Sequence, residues 1–397
     1  MGINYKILLF ANLSFLMLLA SGNSYAQVAG GSSAGETGAK TVLDENPWIS
    51  ARAAGMAGAL SPLADGNDAP YYNPAGIGNI HQSTKAPMLR LLNFPWIGGG
   101  INENSAKIYR DENNSKNVAG EETTIKNGVL DANKGKRQYG RASILPAVMI
   151  GRVYLGYSYD TQIAAVSKGE GSDLVDTHYR TSSGPGGGFS FTDKKERLYL
   201  GVFGAQIARQ EVSGDFAFAD ISDPVLRGEV VKENEKKYEG NMTNVGMIWR
   251  MSEKAKPSLS LVARNVGKTT YAAKTPDTEN VVVSEDLTLG FSVSPRLGKF
   301  GYLNMVLEGG NITDENVTLK KKLRSALELT CGERFGSLSG FGLRVGVNDA
   351  GVSYGTHINL GILGLQAASY AVNIGKDNEN VIERRGVAIF SVNLGEY

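Results

Sequence analysis

The chain has 397 residues, with 41 Lys and Arg against 40 Asp and Glu and a formal net charge of +1. That balance argues against a polybasic surface and against nucleic acid as a partner. Cys331 is the single cysteine, so no intramolecular disulfide can form, and beyond the first residues no stretch approaches the roughly 20 apolar residues of a membrane-spanning helix.

The N-terminus reads as a secretory signal. Lys6 is its only charge, Ile7–Leu19 is apolar, and Ser24-Tyr25-Ala26 places small residues at the cleavage-determining positions. Cleavage is expected after Ala26, which divides the chain into a signal peptide (1–26), an N-terminal segment (27–80) and the remainder (81–397). Export together with 50 glycines leaves two classes, a soluble β-sandwich and an outer-membrane β-barrel.

Gln27–Lys40 is Gly/Ser/Ala-rich and predicts a mobile linker. Arg52–Ile80, RAAGMAGALSPLADGNDAPYYNPAGIGNI, is small-residue-rich and poor in bulky aliphatics. Residues Ala53–Leu63 predict a short helix that Gly55 and Gly58 weaken, by roughly 1 kcal/mol each relative to Ala. Asp65-Gly66-Asn67-Asp68 predicts a turn. Asn73-Pro74-Ala75-Gly76, behind Tyr71 and Tyr72, predicts another, with Pro74 fixing φ and Gly76 free to turn left-handed. Such a stretch can be buried only where room is scarce, as inside a lumen.

From Met88 onward the sequence reads as strands. Asn102–Tyr139 is a polar insert expected to be a solvent loop. Gly151–Asp160 alternates, with Val153, Leu155, Tyr157 and Tyr159 on one face and Arg152, Tyr154, Gly156 and Ser158 on the other. The run Ser183–Gly188 lacks the Lys-Ser/Thr of a phosphate loop and predicts an exposed flexible loop. The strongest hairpin opposes Phe341, Leu343, Val345 and Val347 to Gly342, Arg344, Gly346 and Asn348, then turns at Asp349-Ala350-Gly351. Charges gather in Asn102–Tyr139, Ala219–Glu239, Lys268–Glu285 and Lys376–Arg385.

The second face of the strands decides the class. It is built mostly from Gly, Ser, Asn and Arg rather than from Lys, Glu and Thr, which fits a lumen wall whose opposite face meets lipid. Closure also removes exposed strand edges. The chain ends Val387–Tyr397 as a strand with a terminal aromatic, a feature similar to the recognition signal of outer-membrane barrels, although Tyr397 is one residue out of step with Ala388, Phe390, Val392 and Leu394.

The segment Ala51-Arg52-Ala53, Gly55-Met56-Ala57-Gly58-Ala59, Ala64-Asp65 and Ala69-Pro70-Tyr71-Tyr72-Asn73-Pro74-Ala75-Gly76 resembles the opening of the FadL/TodX superfamily of outer-membrane transport barrels, which includes a PorV-like branch associated with protein secretion. Ala57 stands where that pattern has a Gly. The resemblance implies an all-β fold, a transmembrane antiparallel barrel of about 14 strands with the N-terminal segment inside the lumen as a plug, or hatch. It also implies passive uptake of small hydrophobic compounds such as long-chain fatty acids. The alternative within the same resemblance is a non-transporting barrel that partners exported proteins. Outer-membrane lipid is the expected surroundings, with a fatty acid or hydrocarbon, or an exported protein, as partner and no cofactor.

Candidate site residues follow. Arg52, Gly55, Gly58, Asp65, Tyr72, Asn73, Pro74, Ala75 and Gly76 belong to the hatch, and Asn73–Gly76 is either its hinge or a fixed turn. Arg52 buried in a lumen needs an acid, with Glu308 and Glu328 as candidates. Arg152, Arg250, Arg264, Arg324 and Arg344 share the polar parity and form either a headgroup track or an ion-paired wall; His357 joins them. The mature chain carries only His81, His178 and His357, none in a triad or metal spacing, so no catalytic or metal site is expected.

Overall fold

The computed structural model describes residues 43–82, 89–106, 135–168, 174–217, 220, 224–252, 255–298, 301–314, 318–331, 339–360, 362–375 and 381–392. The expected signal peptide, the expected linker Gln27–Lys40, most of the insert after Asn102 and the terminal Tyr397 lie outside these residues.

Sixteen strands make one antiparallel sheet: β1 (Leu89–Asn102), β2 (Arg137–Ile150), β3 (Val153–Ser167), β4 (Leu174–Thr192), β5 (Leu198–Ala217), β6 (Lys236–Arg250), β7 (Ser258–Arg264), β8 (Thr269–Ala273), β9 (Val281–Val283), β10 (Asp286–Val293), β11 (Gly301–Gly309), β12 (Leu323–Cys331), β13 (Ser339–Asn348), β14 (Gly351–Leu360), β15 (Leu363–Asn373) and β16 (Ile382–Val392). All but β8 and β9 pair in chain order, and β1 closes on β16 with Ile97 opposite Phe390 and Asn102 opposite Arg385. The result is a closed 14-strand barrel. The hairpin β8–β9 is appended to the end of β6, Tyr238 lying opposite Ala273.

Connections such as Gly151–Arg152 and 193–197 make one end of the barrel short-turned, whereas 103–136, 218–235 and 265–285 make the other long-looped. Three sequence expectations change here. The polar insert gives up its last residues to β2, because Arg137, Tyr139 and Arg141 alternate inward. The charged stretches after Ala219 and Lys268 contain a helix (Pro224–Asn234) and the β8–β9 hairpin. The run Ser183–Gly188 is the middle of β4, paired with β3 from Tyr159↔Ser183 to Tyr154↔Gly188, not a loop. Glycine serves there for space: a Cβ on Gly186 would stand 2.7 Å from the Phe203 ring.

The two faces are inverted relative to a soluble protein. Leu155, Tyr157, Leu289, Leu307, Leu327, Leu343, Val345 and Tyr354 are exposed outward, while Arg141, Asp160, Arg209, Glu308, Glu328, Arg344 and Arg385 are buried inside. Charged groups bury stably only when paired, and an unbroken apolar belt is stable only against lipid. The barrel is therefore membrane-spanning.

Candidate functional site: the plugged lumen

The N-terminal segment runs inside the barrel from the loop end to the turn end. Residues 43–46 lie against the upper parts of β2–β5 and β16. Helix α1 (Ala51–Gly55) then packs on β13–β16, the 3-10 turn Ser61–Leu63 on β7 and β10, and the 3-10 stretch Pro74–Gln82 on β4–β6. A segment touching opposite walls of a closed barrel is a plug. The helix is shorter than the sequence predicts. Ser50 caps it through the Ala53 amide (3.1 Å), and the positive φ of Ala57 (54°) and Gly58 (87°) turns the chain out of it.

Wall glycines make the seat. A Cβ on Gly55 would stand 3.0 Å from the Cα of Gly355, so helix and strand cross backbone to backbone. Side chains on Gly346, Gly290, Gly246 or Gly201 would collide with Met56, Pro62, Asn73 or Pro74. Gly76 is similar: its φ is not positive, contrary to expectation, and it is glycine because a Cβ would run into the carbonyl of Ala64.

Ion pairs fix the middle of the plug. Arg52 donates from Nε and Nη2 to Glu328 (2.9 and 2.7 Å) and from Nη1 to Asp65 (2.7 Å). Burial opposes its charge, but the two acids outweigh burial and hold the guanidinium protonated more firmly than usual. Glu328 also accepts from Arg344 Nε (2.7 Å) and Asn304 Nδ2 (2.9 Å). Arg344 Nη2 lies 2.6 Å from His357 Nδ1; arginine can only donate, so the imidazole is neutral with its proton on Nε2. Glu308 takes the amide of Ser61 (2.8 Å) and pairs with Arg324 (3.3 Å), whose guanidinium fills the space beside Gly58. Arg264 pairs with Asp286, its Nη2 also donating to Thr288 (2.8 Å).

Arg152 and Arg250 do not line the lumen wall with the others. Arg152 sits in the β2–β3 turn, 3.6 Å from Glu196 of the next turn, because β3 begins only at Val153. Arg250 closes β6 at the turn end, donating to the Tyr199 hydroxyl (3.1 Å) beneath the plug's exit.

At that exit Asn73 is fully buried and ties three parts of the chain together. Its Nδ2 donates to the carbonyls of Ser61 (2.9 Å) and Met247 (3.2 Å), and its Oδ1 accepts the Ala75 amide (3.1 Å). Ala75 packs with Tyr199 and Ile248. The Tyr72 hydroxyl accepts the Ser50 amide (3.3 Å); burial, with Asp68 nearby, pushes it up to about 12.

A second ion cluster, at the loop end, escaped the sequence reading. Asp44 takes Arg141 (3.0 Å) and Arg385 (3.3 Å), and Glu45 takes Arg180 (3.0 Å) and Arg209 (2.8 Å). The wall adds Asp160, Glu211 and Glu383. Burial would raise the Asp44 carboxyl, but Arg385 and Arg141 hold it below the usual range. The signal was present as period-2 polarity in Arg137-Tyr139-Arg141-Ser143, but its first half lay inside the insert Asn102–Tyr139 read as a solvent loop.

A buried apolar group joins the plug to the wall. It runs from Leu145, Met149, Tyr154 and Ile77 near the turn end, through Tyr71 and Phe203, to Ile207, Met242, Tyr238 and Tyr271 near the loop end.

Fold and site together define a plugged, membrane-spanning β-barrel. No protein-family model matches the sequence, nor does any curated protein. Among solved structures the fold is similar to a monoaromatic hydrocarbon channel, the TodX deltaS2 mutant, with a TM-score of 0.51, 8% identity and coverage of 89% of this chain and 100% of that one. The toluene transporters TodX of Pseudomonas putida (TM-score 0.46, 10% identity, 88% and 98% covered) and TbuX of Ralstonia pickettii (0.45, 10%, 89% and 100%) also match. The chain has the barrel fold of the TodX channel.

Proposed function

We propose that this chain is an outer-membrane barrel for passive uptake of small hydrophobic compounds, exported by a signal peptide cleaved after Ala26, with residues 27–80 forming the hatch. The observation that carries this reading is the apolar seam between the plug and β2–β6. A small shift of the plug away from β2–β6 would open a route lined by Ile77, Tyr71, Phe203, Ile207 and Met242, in which an apolar guest loses no hydrogen bond. Asn73–Gly76 acts as the hinge, tied through Asn73 to Ser61 and Met247 where the segment turns to run along β4–β6. Monoaromatic hydrocarbons, which the structural relatives carry, and long-chain fatty acids are the two substrate classes to compare.

Cells with an intact outer membrane that express the chain should take up labelled toluene or a labelled long-chain fatty acid faster than cells without it. Equal rates for both compounds would remove the uptake reading and leave the rival, a barrel that partners exported proteins. That rival draws on the exposed charge of the long loops, such as Glu229, Lys232 and Glu233 on the helix Pro224–Asn234.

A further inference from the structure

Two arginines at the loop end of the lumen form a carboxylate site that the chain fills itself. Arg180 on β4 and Arg209 on β5 approach Glu45 from neighbouring strands. Arg180 Nη2 is 3.0 Å from Oε1 and Arg209 Nη2 is 2.8 Å from Oε2, so each carboxylate oxygen takes one guanidinium. The wall acid in contact with both is Glu211, 2.7 Å from Arg180 Nε and 3.6 Å from Arg209 Nη1. Two cations thus face one wall anion until Glu45 arrives.

The holders are buried and the held group is half-exposed. The Arg209 side chain is 1% exposed and its guanidinium lies 3.9 Å from the centre of the Tyr271 ring. Its Nε has no hydrogen-bond acceptor among the described residues. The Glu45 side chain, in contrast, is 46% exposed. A buried guanidinium left without its anion is costly, so the pincer keeps its demand for a carboxylate whichever molecule supplies it. Directly below it, on the same face of β5 and on β6, Ile207 and Met242 begin the apolar seam.

We propose that Glu45 is a built-in competitor at this site: an external organic carboxylate displaces it from Arg180 and Arg209, and its release loosens the N-terminal end of the plug, which is then held by Asp44 through Arg141, Arg385 and Gln162. That the displacing carboxylate carries an apolar tail rests on the uptake reading above; the exchange at the arginines does not.

The test uses the full chain in non-ionic detergent, with hydrogen exchange of the amides of residues 43–49 and binding of dodecanoate against dodecanol. Acetate, but not chloride at equal ionic strength, should speed exchange in this segment several-fold, and Arg209→Gln or the less buried Arg180→Gln should abolish that difference. Heat-modifiable migration of each variant checks that the barrel has formed. Glu45→Gln should exchange fast without acetate and bind dodecanoate about fivefold tighter or more, since the competitor no longer holds the site, with dodecanol unchanged. If acetate leaves exchange at 43–49 unmoved and Glu45→Gln binds dodecanoate like the parent, Glu45 is no competitor. If Glu45→Gln tightens both amphiphiles equally, the arginines are no headgroup site, while uptake stands. If neither amphiphile binds yet acetate still releases the segment, the exchange stands and the uptake reading falls.

Discussion

Arg52 and Glu328, 276 residues apart in the chain, meet fork to fork inside the barrel with donor–acceptor distances of 2.9 and 2.7 Å. The pair joins plug to wall at mid-lumen, and its two partners are not equally replaceable. Without Arg52, Glu328 keeps Arg344; without the Glu328 charge, Arg52 and Arg344 are two guanidiniums facing one neutral group, with Asp65 left to serve Arg52 alone.

Glu328→Gln should therefore destabilise the plugged barrel by about 3–5 kcal/mol, and Arg52→Gln by clearly less. Denaturant unfolding in detergent, followed by near-UV dichroism, gives the order. A larger loss for Arg52→Gln would mean that Arg344 does not compensate Glu328.

Asn73→Ala removes two donated bonds and one accepted bond at a buried site, which should cost about 1–3 kcal/mol. The Ala75 amide should lose its protection from hydrogen exchange while the strand amides keep theirs. If exchange at Ala75 is unchanged, the turn is held by packing of Ala75 against Tyr199 and Ile248 instead.

Gly246→Val places a side chain where Asn73 and Pro74 sit. Overpacking of about 1–3 kcal/mol is expected, appearing as new protease cuts in 70–80 from a barrel that still forms. Gly309→Val, where a Cβ meets nothing within 4 Å, is the control. Equal effects of the two would show that the wall glycines do not seat the plug.

Acid should act oppositely at two points of the plug. Burial lifts the Asp68 carboxyl above its ordinary range, although Ser50 and Trp48 donate to it. Its stabilisation is fully present below the unfolded value of about 3.9 and is lost as pH rises through the higher folded value. Asp44, held low by its arginines, stabilises above about 3.9, and that contribution is lost as pH falls through its lower folded value. Acidification should thus first tighten the surroundings of Trp48, read by its fluorescence in single-Trp protein, and then loosen residues 43–46, read by hydrogen exchange. Asp68→Asn should erase the first step only; loosening of 43–46 before any change at Trp48 would contradict the assignment.

The barrel was legible in the sequence because its two faces differ in residue type at period 2. Val153, Leu155 and Tyr157 read as a lipid face without any knowledge of their neighbours. The inward set Arg264, Glu308, Arg324, Glu328, Arg344 and His357 followed from the same parity. Parity fails at strand ends, where Arg152 already belongs to a turn and Arg250 to the rim. It fails again where the signal for a loop and for a lumen face coincide, as in Ser183–Gly188, since both favour small residues. The Asp44–Glu45 cluster was illegible because its partners come from β2, β4, β5 and β16, a set that only closure assembles.

The position of the plug has a consequence for how the protein is built. Residues 43–82 precede β1 in the chain, yet β1 must meet β16 around them. A barrel sealed empty would leave Arg141, Arg180, Arg209 and Arg385 with Asp160, Glu211 and Glu383 but without Asp44 and Glu45, in an interior where missing counter-charge is costly. The counter-charge carried by Asp44 and Glu45 thus favours closure of the β1–β16 seam around residues 43–82 over closure of an empty barrel.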